Sequence, residues 1–314
     1  MIYTINNCIR AFGYTNFDKL IADMGSVDNL REYVRANGYA DIAVAEDTEL
    51  LLVDVNGKTW HTGCYGAQLG PEPEYLCFTS TGDSTVAMAQ EGTPNKSANK
   101  VIQYRLNNGQ WQNWNLSAVS LADGDKMYIK SDDTIPISEA GYIYKYFIIS
   151  GSIAASGNIM SLINFSDTLT DYAFYKLFIA CKSLTAAPEL PATTLADACY
   201  QYMFCNTSLT QAPTLPATTL SNRCYFSMFE NCKALTTAPE LQATTLFTYC
   251  YGWMFSGCTK LNYVKALFVD IHADGCVEYW LDGVSSTGTF VKNKNATWTN
   301  TDAGIPSSWT VQSE

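Results

Sequence analysis

Cys224-Tyr225-Phe226-Ser227-Met228-Phe229-Glu230-Asn231-Cys232-Lys233-Ala234-Leu235-Thr236-Thr237-Ala238-Pro239-Glu240-Leu241-Gln242-Ala243-Thr244-Thr245-Leu246 is the stretch on which the fold turns, because the chain repeats it. The unit before it carries Cys199-Tyr200, Met203-Phe204, Leu209, Pro213, Leu215, Ala217 and Leu220 in register, and the unit after it Cys250-Tyr251, Met254-Phe255, Cys258 and Leu261. Leu184, Leu209, Leu235 and Leu261 follow one another at intervals of 25, 26 and 26 residues. Weaker copies flank these units at Leu169, Phe174, Leu177-Phe178 and Cys181, and at Cys276, Trp280 and Leu281. A period in the twenties is the mark of a solenoid in which each unit is one strand, a turn and a helix. In the first full unit, 183–186 reads as the strand. Pro188 and Pro191 then end pairing, because neither has an N–H to donate. Thr193 or Thr194 caps a short helix with Leu195, Cys199, Met203 and Phe204 on one face. Leu184, Leu209, Leu235, Leu261, Phe204, Phe229 and Phe255 are the expected core, since one unit cannot bury such a face alone.

The cysteines recur at the same spacing, as Cys199/Cys224/Cys250/Cys276 and Cys181/Cys232/Cys258, with Cys205 displaced by a one-residue deletion. No C-x-x-C is present. Parallel ladders of this kind suit neither disulfide geometry nor a tetrahedral metal, so these residues read as small buried hydrophobes. Residues identical from unit to unit hold the scaffold, so the variable ones are the candidate contact surface. They are Lys176, Gln201, Tyr202, Phe226 and Trp253. The three aromatic residues would form one stripe able to stack on sugar rings or to pack in a protein interface.

Outward from the repeats the pattern changes. Residues 101–106 alternate, Asn108-Gly109 is a hairpin turn and 111–116 return. With 75–80, 85–89 and 126–130 they read as a β-sandwich. Asp123 and Asp125 flank a turn and read as turn chemistry rather than calcium ligands. In the first seventy residues Phe17, Leu20, Ile21 and Met24, then Val27, Leu30, Tyr33 and Val34, recur at helical spacing. A hairpin comes next at 49–55 and 58–60. The expected fold class is thus multidomain α+β. A small α+β docking module covers 1–70, a β-sandwich 71–150, a leucine-rich-repeat-like α/β solenoid 151–284 and a β cap 285–314.

Composition narrows the chemistry. Charged residues make up 16% of the chain, low for a globular protein, and the net charge of −11 argues against a nucleic-acid grip or an anionic-membrane anchor. No stretch reads as a transmembrane helix, and the start of the chain does not read as a leader. There is no G-x-S-x-G, H-E-x-x-H, P-loop, G-x-G-x-x-G or EF-hand loop. His61, near Cys64, reads as a loop residue and His272 as equally ordinary. No catalytic residue, metal site or cofactor is therefore expected, and the chain reads as non-enzymatic.

The wording CY-x-x-MF-x-x-C-x-x-L-x-x-x-P-x-L-P-A-x-T-L, seen at Cys224-Tyr225, Met228-Phe229, Cys232, Leu235, Pro239, Leu241, Ala243 and Leu246, resembles the BspA-like leucine-rich repeats of gut anaerobes and their tailed, crAss-like phages. Residues 157–162 look like that family's leading segment, and 283–290 with 304–311 like its closing strands. The pattern departs at Gln242, where Pro191 and Pro216 stand in the sibling units, and at Cys205. The resemblance implies a surface-exposed recognition protein with no catalytic residue. The reading it favours is a phage virion structural protein, a head or tail fibre or decoration protein at the virion surface. Residues 1–70 would attach it to other virion proteins, and the solenoid would face a host surface protein or glycan. A homo-oligomer, trimer or dimer, would be expected. The alternative is a BspA-like adhesin on the bacterial cell surface, and a glycan-degrading enzyme is a third reading.

Overall fold

The computed structural model describes residues 74–314, together with the backbone of β1 (Asp41–Val44), β2 (Leu50–Val53) and β3 (Thr59–His61). The chain divides into two compact units, Met1–Glu74 and Tyr75–Glu314. In the first, β1, β2 and β3 form an antiparallel sheet in that order. The pairing of Leu51 with His61 and Val53 with Thr59 makes β2 and β3 a hairpin at the expected place, and His61 closes a strand rather than sitting in a loop. The two expected helices, Cys64 and the attachment role given to 1–70 lie outside the described residues.

The second unit begins with β4 (Leu76–Ser80), β5 (Ser84–Glu91), β6 (Gln103–Leu106), β7 (Gln112–Asn113), β8 (Val119–Leu121) and β9 (Lys126–Lys130). β10 (Tyr144–Ser150), β11 (Ile153–Ser156) and β12 (Leu184–Ala186) come after them. Alternation builds them: in β5, Val86 and Met88 point inward while Thr85, Ala87 and Ala89 are partly exposed. A β10-β5-β8 sheet and a six-stranded β12-β11-β4-β9-β6-β7 sheet share a core of Phe78, Val86, Trp114, Met127 and Phe147. The turn at Asn108-Gly109 closes with Gly109 N–H donating to the Leu106 carbonyl at 2.8 Å, and Asn107 supplies a φ of 50°.

Glu139 ties the segment before β10 to the short 3-10 turn at Lys96–Asn99. Its carboxylate accepts from the N–H groups of Asn95, Lys96 and Ser97 at 3.0, 2.8 and 2.7 Å, and from the Ser97 hydroxyl at 2.7 Å. Desolvation pushes this acid up, but the four donors outweigh it and hold it at about 2 against an ordinary 4.5. A folded-state value below the unfolded one means stability that is present above pH 4.5 and lost as the pH falls toward 2. Allowing for solvent screening of a partly exposed carboxylate, the expected contribution is about 1–2 kcal/mol. Unfolding free energies of wild type and Glu139→Gln from urea titrations should differ by that amount at neutral pH and converge in acid. A gap that does not change with pH would contradict the assignment.

Three findings overturn the expected fold class. First, the boundary at 150 between a sandwich and a separate repeat domain does not hold for the sheet. β11 pairs antiparallel with β4 and parallel with β12, so Leu184, expected to open the solenoid, lies in the same sheet as Phe78. Second, the helix expected in each unit is absent: among the described residues the only helical elements are the 3-10 turns Lys96–Asn99 and Ile159–Ile163. Third, among the described residues every sheet has two end strands and none closes on itself. The described residues form sheets and turns, not a leucine-rich-repeat α/β solenoid.

The helix gives way to a run of turns bonded to the next segment. Ala198, Tyr202 and Asn206 have φ of 53°, 57° and 64°, and Arg223, Ser227 and Asn231 have 54°, 52° and 60°. A left-handed residue at every fourth position forbids an α-helix. Alternate N–H groups donate across to the next segment instead, as Tyr200 to the Cys224 carbonyl (3.0 Å), Tyr202 to Phe226 (3.0 Å) and Phe204 to Met228 (2.9 Å). The N–H groups between them close turns three residues back, as Met203 to Tyr200 (3.1 Å). These turns carry Cys199-Tyr200 and Met203-Phe204 inward, a period of four that is nearly indistinguishable from 3.6 over two turns.

Beyond these turns come β13 (Tyr263–Ala266), β14 (Thr289–Lys292) and β15 (Thr310–Ser313), a parallel sheet in that order. Phe290, Trp298, Ile305 and Trp309 are buried with it against Trp280 and Phe268.

Candidate functional site

Inward-facing rings set the spacing on which the outer ones depend. Phe178, Phe204, Phe229 and Phe255 stack at 5.3, 5.6 and 5.7 Å between centroids, tilted by no more than 10°. Phe174, Tyr200, Tyr225 and Tyr251 make a second row at 5.9, 5.9 and 6.0 Å. Both are fully buried. The expected core leucines Leu184, Leu209, Leu235 and Leu261 are 0% exposed. The described cysteines are unpaired and buried, and burial pushes the thiols of Cys181, Cys199 and Cys205 up to about 12.

A third row lies outside. Tyr144, Tyr175, Tyr202, Phe226 and Trp253 follow one another edge to face at 5.4, 6.0, 5.7 and 5.5 Å. The last step differs: Trp253 and Tyr279 lie flat on each other at 5.2 Å and 10°. Of the residues singled out in the sequence, Tyr202, Phe226 and Trp253 are thus brought into one row and are half-buried. Lys176 joins them, its Nζ lying 4.8, 5.2 and 5.5 Å from the centroids of Tyr144, Tyr175 and Tyr202. Burial, then the neighbouring phenols, pushes Tyr175 up to about 12, so it stays an O–H. Gln201 is engaged through its backbone carbonyl, which accepts from Lys176 N–H at 3.0 Å.

Tyr279 is 58% exposed and forms one wall of a pocket of about 450 Å³. Asp282, Ser285, Ser286, Val284, Gly304 and Pro306 line it further. The backbone there is already committed: Ser285 and Ser286 carbonyls accept from Trp309 Nε1 and the Ser308 hydroxyl. Trp280 Nε1 donates to the Ala303 carbonyl at 2.7 Å. The Asp282 carboxylate and the Ser286 hydroxyl form no hydrogen bond or ion pair with a described residue. Tyr279, Asp282 and Ser286 were missed in the sequence because the last repeat is degenerate. Only the Cys276/Trp280 register places Tyr279 opposite Trp253.

Asp125 and His272 have plain surroundings. Asp125 accepts from Asn107 Nδ2 and from Ala122 N–H, both at 2.9 Å, and is turn chemistry. His272 is exposed and faces Asp270 at 3.2 Å. Among the described residues no group of three His, Cys, Asp or Glu side chains converges as metal ligands, and no helix is long and apolar enough to cross a membrane.

The resemblance to BspA-like leucine-rich repeats is corrected on two grounds. The CY-x-x-MF segments at 199–204, 224–229 and 250–255 form turns where that architecture needs helices, and the sheets on either side of them stay open. The reading as a phage fibre or decoration protein, or as a BspA-like adhesin, rested on outward-facing repeats of that type and falls with them. No protein-family model matches the chain, and neither a curated protein nor a solved structure matches it.

Proposed function

We propose that this chain is a non-catalytic glycan-binding protein whose site is the pocket at Tyr279, Asp282 and Ser286. The observation that carries the reading is the flat Trp253–Tyr279 pair beside uncommitted polar groups. A sugar ring presents C–H bonds on its faces and hydroxyls at its rim. An exposed aromatic face backed by a second ring gives the first a platform, and a free carboxylate and hydroxyl give the second their partners. The volume of about 450 Å³ suits one or two sugar rings. Asp282 is the one carboxylate in the lining, whereas glycoside hydrolysis by the usual route needs two flanking the scissile bond. Binding without cleavage is therefore the better reading. Self-association as a dimer or trimer belongs to the same proposal, because weak single-ring sites gain by avidity.

Titration calorimetry of the full chain against a panel of oligosaccharides tests this. Tyr279→Ala should weaken the bound sugar about tenfold, or 1.4 kcal/mol, with Trp253→Ala close behind. No binding by the wild type across the panel, or full binding by Tyr279→Ala, would refute it.

A further inference from the structure

The same pocket has a sign. We propose that the sugar seated on Tyr279 is an unacetylated amino sugar, bound through its ammonium group; this rests on the glycan reading above. The lining contains the Asp282 carboxylate and neither Lys nor Arg. Asp282 is also the last of three acids at every fourth position of the final turn segment. The carbonyls of Asp274, Glu278 and Asp282 accept from Tyr249, Trp253 and Gly257 N–H at 2.9, 2.8 and 2.8 Å. In the segment before, the residues making the same bonds to Arg223, Ser227 and Asn231 are Thr248, Gly252 and Ser256, all uncharged. The earlier segments carry single acids at these positions, Asp197 and Glu230, so a run of three is found only at the edge that carries the pocket.

Asp282 differs from the acids that are already satisfied. Asp197 accepts from the Asn222 N–H and side chain, and Glu240 pairs with Lys265. Asp282 has no such partner among the described residues, so a ligand ammonium is free to take it. The aromatic row also holds one ammonium group already, that of Lys176 between Tyr144, Tyr175 and Tyr202 at its far end. An amino sugar on Tyr279 would repeat this contact with the π face and add a charge-assisted hydrogen bond to Asp282. A uronate or sulfated sugar would bring like charge to a carboxylate with no nearby lining cation to offset it.

The test compares three probes on the full chain: a glucosamine tetramer, an N-acetylglucosamine tetramer and a galacturonate tetramer. The glucosamine tetramer should bind about tenfold more tightly than the acetylated one, a preference of about 1.4 kcal/mol, and the galacturonate tetramer weakest of all. The preference should shrink as salt rises. Asp282→Asn should bring the ratio of the first two affinities close to one while the melting transition stays in place. Equal binding of the first two, tighter binding of galacturonate, or an unchanged ratio in Asp282→Asn overturns the amino-sugar inference while leaving glycan binding intact. Failure of all three probes, with other sugars bound in the Tyr279-dependent manner, also overturns it. Failure of every sugar removes the underlying reading itself.

Discussion

Phe229→Ala should lower the free energy of unfolding by about 3–5 kcal/mol, the largest loss expected from a single side chain here. Phe229 is 0% exposed and lies between Phe204 at 5.6 Å and Phe255 at 5.7 Å, nearly parallel to both. Removing the ring leaves a hole whose walls are two other rings, Phe204 backed by Phe178 and Phe255 by Trp280, each with its own backbone bonds. Phe229 N–H donates to the Met254 carbonyl at 2.9 Å, and the Phe229 carbonyl accepts from Cys232 N–H and the Cys258 thiol, both within 3.1 Å. The backbone is therefore fixed on both sides, and the cavity cannot collapse by a small shift. Against a typical total of about 5–15 kcal/mol, such a loss leaves little margin. Urea unfolding reads the magnitude, and hydrogen exchange reads the location. The amides of Phe204, Tyr225 and Phe229 should lose protection before those of β4 and β5. A loss below about 1 kcal/mol would mean that the ring row is ornament to a core held elsewhere.

The row also shows what the sequence revealed and what it hid. The register of Cys-Tyr and Met-Phe pairs was legible, and it identified Phe204, Phe229 and Phe255 as buried. The conformation joining them was not. Inward pairs at a spacing of four satisfy a helical pattern and a run of linked turns equally well, and the deciding quantity is φ at Ala198, Tyr202, Arg223, Ser227, Tyr249 and Trp253. Only the last left-handed position of each segment, at Asn206, Asn231 and Gly257, carries a residue that takes this conformation readily, so local composition gives no warning at the other two. What compensates is the bond each makes to the next segment, a tertiary effect invisible in one unit. The hairpin at β2 and β3 and the turn at Asn108-Gly109 were legible because their signals are local. The pairing of β11 with β12 joins Ile153 to Leu184 across a long separation, and nothing in either stretch announces it.

The site divides in the same way. Tyr202, Phe226 and Trp253 stood out as variable positions between invariant ones. Tyr279 and Asp282 belong to a copy too degenerate to align by its leucine, and Ser286 lies beyond the pattern altogether. A contact surface was thus anticipated along the middle units, whereas the open ring and the pocket lie at the final edge.

That edge depends on the closing strands beyond it. A chain ending at residue 284 should fail to accumulate as a soluble monomer. Phe290 and Trp298 meet Trp280 and Phe268 at 5.9 and 5.2 Å, and Ile305 and Trp309 are buried beside them. Removing them would expose Trp280, now 0% accessible, and strip its Nε1 of the Ala303 carbonyl. It would also leave β13 without its neighbour β14, a row of unpaired backbone groups beside a large apolar face. Both features invite association between chains. Burying three indoles and a phenylalanine corresponds to roughly 1.5–3 kcal/mol or more for each side chain. Size-exclusion chromatography and dye binding to exposed apolar surface check the outcome. Aggregates, or a dye-positive species with lowered melting temperature, are expected. A monodisperse truncated chain that melts with the wild type would show that the turn segments close their own end, and that the wall of the pocket at Gly304 and Pro306 is an accessory rather than a support.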